Sequence, residues 1–133
     1  YSRRGAVYAS NRHFPEALAD FDKACALAPT EARYFYQRAL AHLASLQFDK
    51  GVADLDKTIT LDPTLVDARL TRASMRMRRG NQAGANDDVQ AADAALAPSS
   101  EKRLTVASFF NDLDRPEDAL RNYDLWLKSH PED

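Results

Sequence analysis

The sequence predicts an all-α protein, an α-solenoid of four antiparallel helix pairs. Small residues recur every 34 positions in two columns that lie twelve residues apart. The first column is Gly5, Ala39, Ala73 and Ala107, and the second is Ala17, Gly51, Ala85 and Ala119. A column of large apolar residues follows four positions later, at Phe21, Leu55, Val89 and Tyr123. This repeat length is typical of stacked helix–turn–helix units, in which small side chains allow two helices to cross closely.

Apolar spacing and prolines locate the elements within each repeat. Apolar residues recur at steps of three and four, which indicates helices and not strands. Four prolines each follow an apolar run, where a ring without an N–H ends a helix: Pro29, Pro63, Pro98 and Pro131. Pro15 and Pro116 lie just inside helix starts, where the missing N–H is harmless.

Eight helices follow from these marks. The first helices of the pairs are predicted over residues 1–11, 31–45, 65–79 and 100–113. The second helices are predicted over residues 14–28, 48–61, 82–97 and 116–129. No Pro/Gly/Ser-rich linker interrupts the array, so we expect a single domain over 1–133, with repeats at approximately 1–30, 31–64, 65–98 and 99–131.

The third repeat departs from the period by one residue. Pro98 follows Pro63 by 35 positions, yet Ala107 is back in phase. The extra residue is therefore absorbed locally. We expect the helix that ends at Leu96 to be one residue longer than its equivalents or to carry a bulge.

Composition excludes several classes of function. The chain has 133 residues and a formal net charge of −2, which does not favour nucleic-acid binding. Its apolar runs are far shorter than the ~20 residues that span a bilayer, so no membrane insertion is expected. Because the chain opens at Tyr1 inside a predicted helix, we interpret it as a fragment of a larger protein. The compartment is not determined.

No residue pattern indicates catalysis, a metal or a cofactor. The histidines His13, His42 and His130 lie in separate repeats without a neighbouring ligand at metal spacing. No glycine-rich loop precedes a helix, and no carboxylate pair stands out for acid–base chemistry. Cys25, the single cysteine, shares a column with Ile59, so we expect a buried thiol that takes part in no disulfide. We expect no enzyme, no cofactor and no metal site.

Two charged columns change together along the chain. Arginine precedes the small residue of the first helix at Arg4, Arg38 and Arg72, and aspartate follows sixteen positions later at Asp20, Asp54 and Asp88. In the fourth repeat the two positions hold Val106 and Asn122. Their joint loss favours ion pairs, within a repeat or between neighbours, because an unpaired charge at a helix crossing is costly. The alternative is two independently solvated charges.

The third repeat carries an arginine-rich helix. Its members are Arg69, Arg72, Arg76, Arg78 and Arg79. One interpretation is a basic stripe for an acidic peptide or a phosphate. We favour the other, in which the first three face the partner helix and meet Asp87, Asp88 or Asp93, while the last two are exposed.

The whole chain resembles the tetratricopeptide repeat family. The resemblance rests on the small columns, the column of Phe21, and the segments ALADFDKACALAP, GVADLDKTITLDP and ALRNYDLWLKSHP. Phe14 and Phe48 match the family's aromatic at the turn between helices, although Gln82 replaces it in the third repeat. The pentatricopeptide family matches poorly because the basic character of its RNA readers is missing. The resemblance implies a right-handed superhelix whose first helices line a concave groove.

The resemblance also implies which residues face the groove. They lie on the side of each first helix that is turned away from the small residues at the helix crossing. They are Arg33, Tyr36, Gln37, Leu40, Leu43, Leu70, Thr71, Ser74, Met77, Arg78, Leu104, Thr105 and Ser108. The apolar members have no evident core role in that geometry, although some would fill space between adjacent first helices. Positions that hold the acidic chaperone tail in some relatives carry Ser2, Ala6, Gln37, Asp67 and Thr71, so that ligand is not expected.

These patterns predict a non-catalytic scaffold that binds a peptide or helix of a partner protein. The alternative is a self-association module of a larger, possibly enzymatic, protein. Its surface would be Leu125, Trp126 and Leu127, because Trp126 stands in a column that is otherwise small, at Ala24, Thr58 and Ala92. Since tryptophan would obstruct a regular fifth repeat, we expect another cover: a second copy of the chain, a flanking domain, or side chains of the fourth repeat that fold back.

Overall fold

A computed structural model describes residues 1–131, which form eight α-helices and no strand. The helices are α1 Ser2–Ser10, α2 Phe14–Leu27, α3 Ala32–Ala44, α4 Phe48–Leu61, α5 Val66–Arg78, α6 Gln82–Ala95, α7 Arg103–Asp112 and α8 Pro116–Ser129. The all-α prediction is confirmed, and every predicted helix is present. Over the described part of the chain, no helix is long and apolar enough to cross a membrane.

The chain forms two compact units that meet within α5. The first contains residues 1–68 and the second begins at Arg69. The grouping of all four repeats into one domain stays a prediction.

Helix pairs build the first unit in the expected order. Helix α1 packs on α2 and α3 packs on α4, while α3 also contacts both α1 and α2. The small columns are buried where these helices cross. A Cβ atom on Gly5 would lie 2.8 Å from Cε1 of Phe21, so glycine is required by the close approach of that ring.

The second unit repeats this packing. Helix α7 contacts α6 and α8. Its core contains Val89, Val106 and Phe110, all fully buried, together with the small residues Ala85 and Ala107. Val89, Ala85 and Ala107 fall in columns that the sequence predicted to be buried, whereas Val106 stands in the arginine column and Phe110 in that of His42.

The turns inside the four helix pairs share a left-handed residue that sequence analysis missed. Arg12, Leu46, Gly80 and Asp114, spaced by the repeat period, have φ values of 63°, 65°, 77° and 58°. In the first turn the His13 N–H donates to the Tyr8 carbonyl at 2.8 Å, and equivalent bonds close the other three. This is the Schellman arrangement, which satisfies carbonyls at a helix C-terminus.

The extra residue of the third repeat lies in a connection and not in a helix. Helix α6 has 14 residues, as α2, α4 and α8 do, so the expected longer or bulged helix is wrong. The loop from Leu96 to Lys102 takes up the residue, and α7 begins at Arg103. Arg103 stabilises this loop because its Nη2 donates to the Leu96 carbonyl at 2.6 Å and its Nε to the Ala97 carbonyl at 3.1 Å.

A side-chain cap accompanies the missing turn aromatic of the third repeat. Phe14 and Phe48 begin α2 and α4, whereas Gln82 begins α6. At that helix start Asn81 Oδ1 accepts a hydrogen bond from the Gly84 N–H at 2.9 Å. The cap satisfies one of the unpaired N–H groups at the helix N-terminus.

Candidate functional site

The predicted ion pairs are present in the first three repeats. Each arginine binds both carboxylate oxygens of the aspartate sixteen residues later, within its own repeat. The distances are 2.8 and 2.8 Å for Arg4–Asp20, 2.8 and 2.8 Å for Arg38–Asp54, and 3.0 and 2.6 Å for Arg72–Asp88. Hydrogen bonds from Arg4 hold the pKa of Asp20 below its usual range. The pairs connect the two helices of a repeat, which is a structural role.

An arginine from another column replaces the missing pair in the fourth repeat. Val106 and Asn122 are fully buried there. Arg103, itself 4% exposed, donates from Nη1 to Asn122 Oδ1 at 2.8 Å and also pairs with Asp93. Arg103 lies 34 residues after Arg69, so the repeat period contained the signal.

The arginines of α5 turn toward α6, as the favoured interpretation predicts. Asp88, with a side chain 1% exposed, lies 2.6 Å from Arg72, 3.0 Å from Arg76 and 3.8 Å from Arg69. Arg78 and Arg79 are exposed. The first three charges are therefore held within the second unit.

Two potentially reactive side chains are buried. Burial raises the pKa of the Cys25 thiol, which disfavours the nucleophilic thiolate. Burial also lowers the pKa of His42, whose Nε2 lies 3.6 Å from Asp54 Oδ2 and whose buried Nδ1 has no hydrogen-bond partner within residues 1–131. Residues 1–131 contain no group of three or more His, Cys, Asp or Glu side chains placed to hold a metal.

A cleft of about 590 Å³ opens between α1 and α3 in the first unit. Most of its lining is apolar, and alanines contribute much of it. The lining residues are Ala6, Ala9, Ser10, Arg12, Phe14, Phe21, Gln37, Leu40, Ala41 and Ala44. Volumes in this range are typical of ligand sites.

Two of the predicted groove residues, Leu40 and Gln37, line this cleft. Leu40 is 41% exposed although it lies on a helix that packs on both sides. Gln37 lies one turn before it, and its Oε1 is buried without a hydrogen-bond partner among the described residues. Sequence analysis identified these residues of α3 but, of the cleft residues on α1, named only Ala6, as a position that holds the chaperone tail in some relatives.

Other groove positions of the first unit have a core role. Tyr36 and Leu43 are half-buried and pack against the cluster of Ala39, Leu55 and Ile59. The expectation that they lack a core role is therefore wrong. Arg33 is exposed.

The groove positions of the second unit differ in exposure. Leu70 is 7% exposed, so the expectation that it is free of the core is wrong there too. The half-buried positions are Thr71, Ser74 and Met77, and the exposed ones are Arg78, Leu104, Thr105 and Ser108.

Helix α8 carries the other predicted surface. Leu127 is 52% exposed, while Leu125 and Trp126 are half-buried. The Trp126 ring stacks on His130, with centroids 3.5 Å apart and planes 19° from parallel. A side chain of the same repeat therefore covers part of the tryptophan, one of the covers that the sequence led us to expect.

A second open cleft, of about 670 Å³, lies between α2 and the end of α3. Its lining residues are Phe14, Pro15, Leu18, Ala19, Asp22, Ala44, Ser45, Leu46 and Gln47. No sequence pattern indicated it.

Comparison with known proteins identifies the fold. No protein-family model and no curated protein sequence matches the chain. The Yersinia enterocolitica type III secretion chaperone SycD, in complex with a peptide of the translocator YopD, matches with a TM-score of 0.78 and 16% identity over 87% of this chain and 91% of that one. SycD also matches in a structure described as an alternative dimer.

Two further solved structures match at higher identity. The Arabidopsis OM64 TPR domain has a TM-score of 0.74 and 22% identity over 86% of this chain and 91% of that one. The TPR2B domain of yeast Sti1, in a pHsp70 complex, has a TM-score of 0.65 and 22% identity over 90% of each chain. The chain thus has the tetratricopeptide-repeat fold, as the resemblance predicts.

Proposed function

We propose that this chain is a non-catalytic interaction module that binds a peptide or helix of a partner protein on the face that α1 and α3 form in its first unit. The observation that carries the proposal is the α1–α3 cleft, with its apolar lining and the 41% exposed Leu40. Fully burying a leucine side chain contributes about 1.5–3 kcal/mol, so a partner that covers Leu40 gains part of this free energy. The SycD complex with a YopD peptide and the Sti1 TPR2B complex with pHsp70 support the proposal, since in each a protein of this fold binds a partner.

Each unit has its own candidate residues on its first helices. In the first unit they are Arg33, Gln37 and Leu40, and in the second Thr71, Ser74, Met77, Arg78, Leu104, Thr105 and Ser108. Leu70 is no longer included because it is buried. Tyr36 and Leu43 offer a partner only the part of each side chain that the core leaves exposed.

Peptides selected from a display library against this chain test the proposal. Leu40→Asp is expected to weaken their binding at least about tenfold, equivalent to 1.4 kcal/mol, without a change in thermal unfolding. The matched control is Leu27→Asp, because Leu27 is 74% exposed on α2 and lines neither cleft. Equal effects of the two substitutions on binding would contradict the proposal, as would a selection that yields no specific binder.

Self-association is a second candidate, which the outer face of α8 favours. Leu120, Tyr123 and Leu127 are 60%, 39% and 52% exposed at helical spacing. The residues equivalent to Tyr123 in the first two repeats, Phe21 and Leu55, are buried. Light scattering coupled to size exclusion is expected to give a concentration-dependent mass that Leu127→Lys abolishes. A monomeric mass at all concentrations would exclude this candidate.

A further inference from the structure

We propose that the α1–α3 cleft selects an extended peptide segment in which a large apolar side chain lies between two carboxylates. The inference rests on the proposed function and specifies the partner's chemistry. It depends on three independent features of the cleft: the shape of its lining, the unsatisfied amide of Gln37, and two arginines without an anionic partner.

The lining of the cleft favours one large apolar side chain. Ala6 and Ala9 of α1 face Ala41 and Ala44 of α3 across it, so small side chains leave space between the helices. Phe21 contributes an aromatic surface that is otherwise buried in the core. A volume of about 590 Å³ accommodates an apolar side chain together with the adjoining peptide backbone.

Gln37 is suited to bind the backbone of that peptide. Among the described residues its Oε1 is buried without a partner, and leaving such an atom unsatisfied destabilises the free protein. Exchanging the two amide atoms would bury a donor instead, so either orientation leaves a polar atom to be satisfied. A peptide N–H or carbonyl that reaches this amide removes the cost on binding.

Arg3 and Arg12 supply positive charge without a compensating carboxylate. Both are exposed, and over the described residues neither forms an ion pair, in contrast to Arg4 and Arg38. The cleft lining contains no Asp or Glu. Arg33 is not counted as an unbalanced charge, because Asp62 is near it. Hydrogen bonds with Thr64 lower the pKa of Asp62, and the positive charge of Arg33 lowers it further. Unbalanced positive charge favours an acidic ligand.

The spacing of these arginines determines the peptide pattern. Arg3 lies on the α1 face that presents Ala6 and Ser10 to the cleft, and Arg12 lines the cleft at the far end of that helix. From Arg3 to the end of α1 at Ser10 the helix rises roughly 10 Å at about 1.5 Å per residue, and Arg12 lies in the turn beyond it, so the two arginines are on the order of 13 Å apart along the cleft. An extended peptide covers that length in about four residues at roughly 3.3 Å each, with alternate side chains on one face. The expected motif is an acidic residue, a spacer, an apolar residue, a spacer and an acidic residue.

A blocked peptide of about ten residues, centred on Glu-Ser-Leu-Ser-Glu, tests the motif by fluorescence anisotropy. N-acetylation and C-amidation leave the two glutamates as its only carboxylates. Replacing both glutamates by glutamine, or the leucine by alanine, is expected to weaken binding at least about tenfold. Equal binding of the glutamine peptide would overturn the proposal.

Substitutions in the chain test which of its residues bind the peptide. Arg3→Gln and Arg12→Asn are each expected to weaken binding about three- to tenfold and to reduce its salt dependence; asparagine tolerates the left-handed backbone at residue 12. Lys50→Gln on α4 is the control for the loss of one charge and is expected to have no effect. Gln37→Leu is expected to raise the melting temperature and still weaken binding, a combination that a purely structural glutamine would not give.

The outcomes distinguish this inference from the proposed function. If display-selected peptides depend on Leu40 but are neutral, or bind the Arg3 and Arg12 variants unchanged, the carboxylate motif is wrong and the proposed function stands. If no peptide binds in a Leu40-dependent manner, both are wrong.

Discussion

Single carboxylates determine how the helices of each of the first three pairs align. Asp54 and Asp20 are 7% and 4% exposed and each receives two hydrogen bonds from its arginine, but the side chain of Arg38 is 23% exposed and that of Arg4 is 59% exposed. The same pairing is therefore expected to contribute differently to stability in the two repeats.

Arg38→Met is expected to destabilise the fold by on the order of 3 kcal/mol, because it leaves Asp54 buried without its partner. Adding Asp54→Leu is expected to restore part of this loss, with a coupling of about 1 kcal/mol or more in the double-mutant cycle. Chemical denaturation measures each free energy of unfolding. Arg4→Met is the comparison and should cost less, because the Arg4 side chain is 59% exposed and solvent screens its pair with Asp20. Additive losses for Arg38 and Asp54 would contradict the pairing.

His42 is expected to make stability depend on pH. Burial lowers its pKa in the folded state, so the unfolded chain binds a proton more readily. Stability is therefore complete above the unfolded pKa of about 6.5 and decreases as the pH falls from there toward the folded pKa. The equivalent position of the fourth repeat holds Phe110. His42→Phe is therefore expected to make the free energy of unfolding less dependent on pH between about pH 5 and pH 7. An unchanged slope in that variant would show that His42 does not titrate on unfolding.

At the scale of the elements, the repeats differ most in the residue that occupies the shared left-handed position of the turn. Gly80 adopts it without strain, whereas Leu46 adopts it with a φ of 65° and a side chain 74% exposed. A non-glycine residue in this conformation costs about 1–2 kcal/mol.

Leu46→Gly is therefore expected to raise the free energy of unfolding by up to about 1 kcal/mol, after the added flexibility of the unfolded chain is subtracted. Leu46→Ala is the matched control because it removes the same exposed side chain but keeps the Cβ atom, and it should change stability little. Thermal unfolding of both proteins measures the difference. If alanine stabilises as much as glycine, backbone strain is not the cause.

The bounds of an element were predictable where the sequence pattern is periodic. They were not predictable where contacts with other parts of the chain determine the local structure. Helix α4 was predicted over its observed residues because its apolar spacing and Pro63 are local signals. The loop before Arg103 was not, because the residue that stabilises it acts through contacts with Leu96 and Ala97. Only Gly80 signals the turn column, since the other three members are not glycine.

The candidate site was predictable in part for the same reason. Gln37 and Leu40 follow from helical periodicity, which identifies the face of α3 that turns from the helix crossing. Periodicity does not tell how deeply the neighbouring helix covers that face, so Tyr36 and Leu43 were assigned to the surface although they pack on the core. Arg12 escaped notice because it lies in a turn.

For the molecule as a whole, the oligomeric state depends on the surface of α8: the chain is either a monomeric scaffold or self-associates through this surface. Trp126 is the single tryptophan, so its fluorescence reports on this surface alone. Stacking on His130 predicts emission that is independent of protein concentration and only partly quenched by iodide. His130→Ala should increase the quenching, whereas Ser129→Ala, an exposed neighbour, should not. Quenching that neither variant changes would contradict the stack, and a blue shift at high concentration would favour self-association.

The central claim is that a partner peptide binds between α1 and α3. Backbone amide chemical shifts of the labelled chain, titrated with a display-selected peptide, test it most directly. The account predicts that the largest changes occur at Ala6, Ala9, Leu40 and Ala41, on the two sides of one cleft. Changes concentrated on α2 around Leu18 and Asp22, with these four amides unaffected, would contradict it.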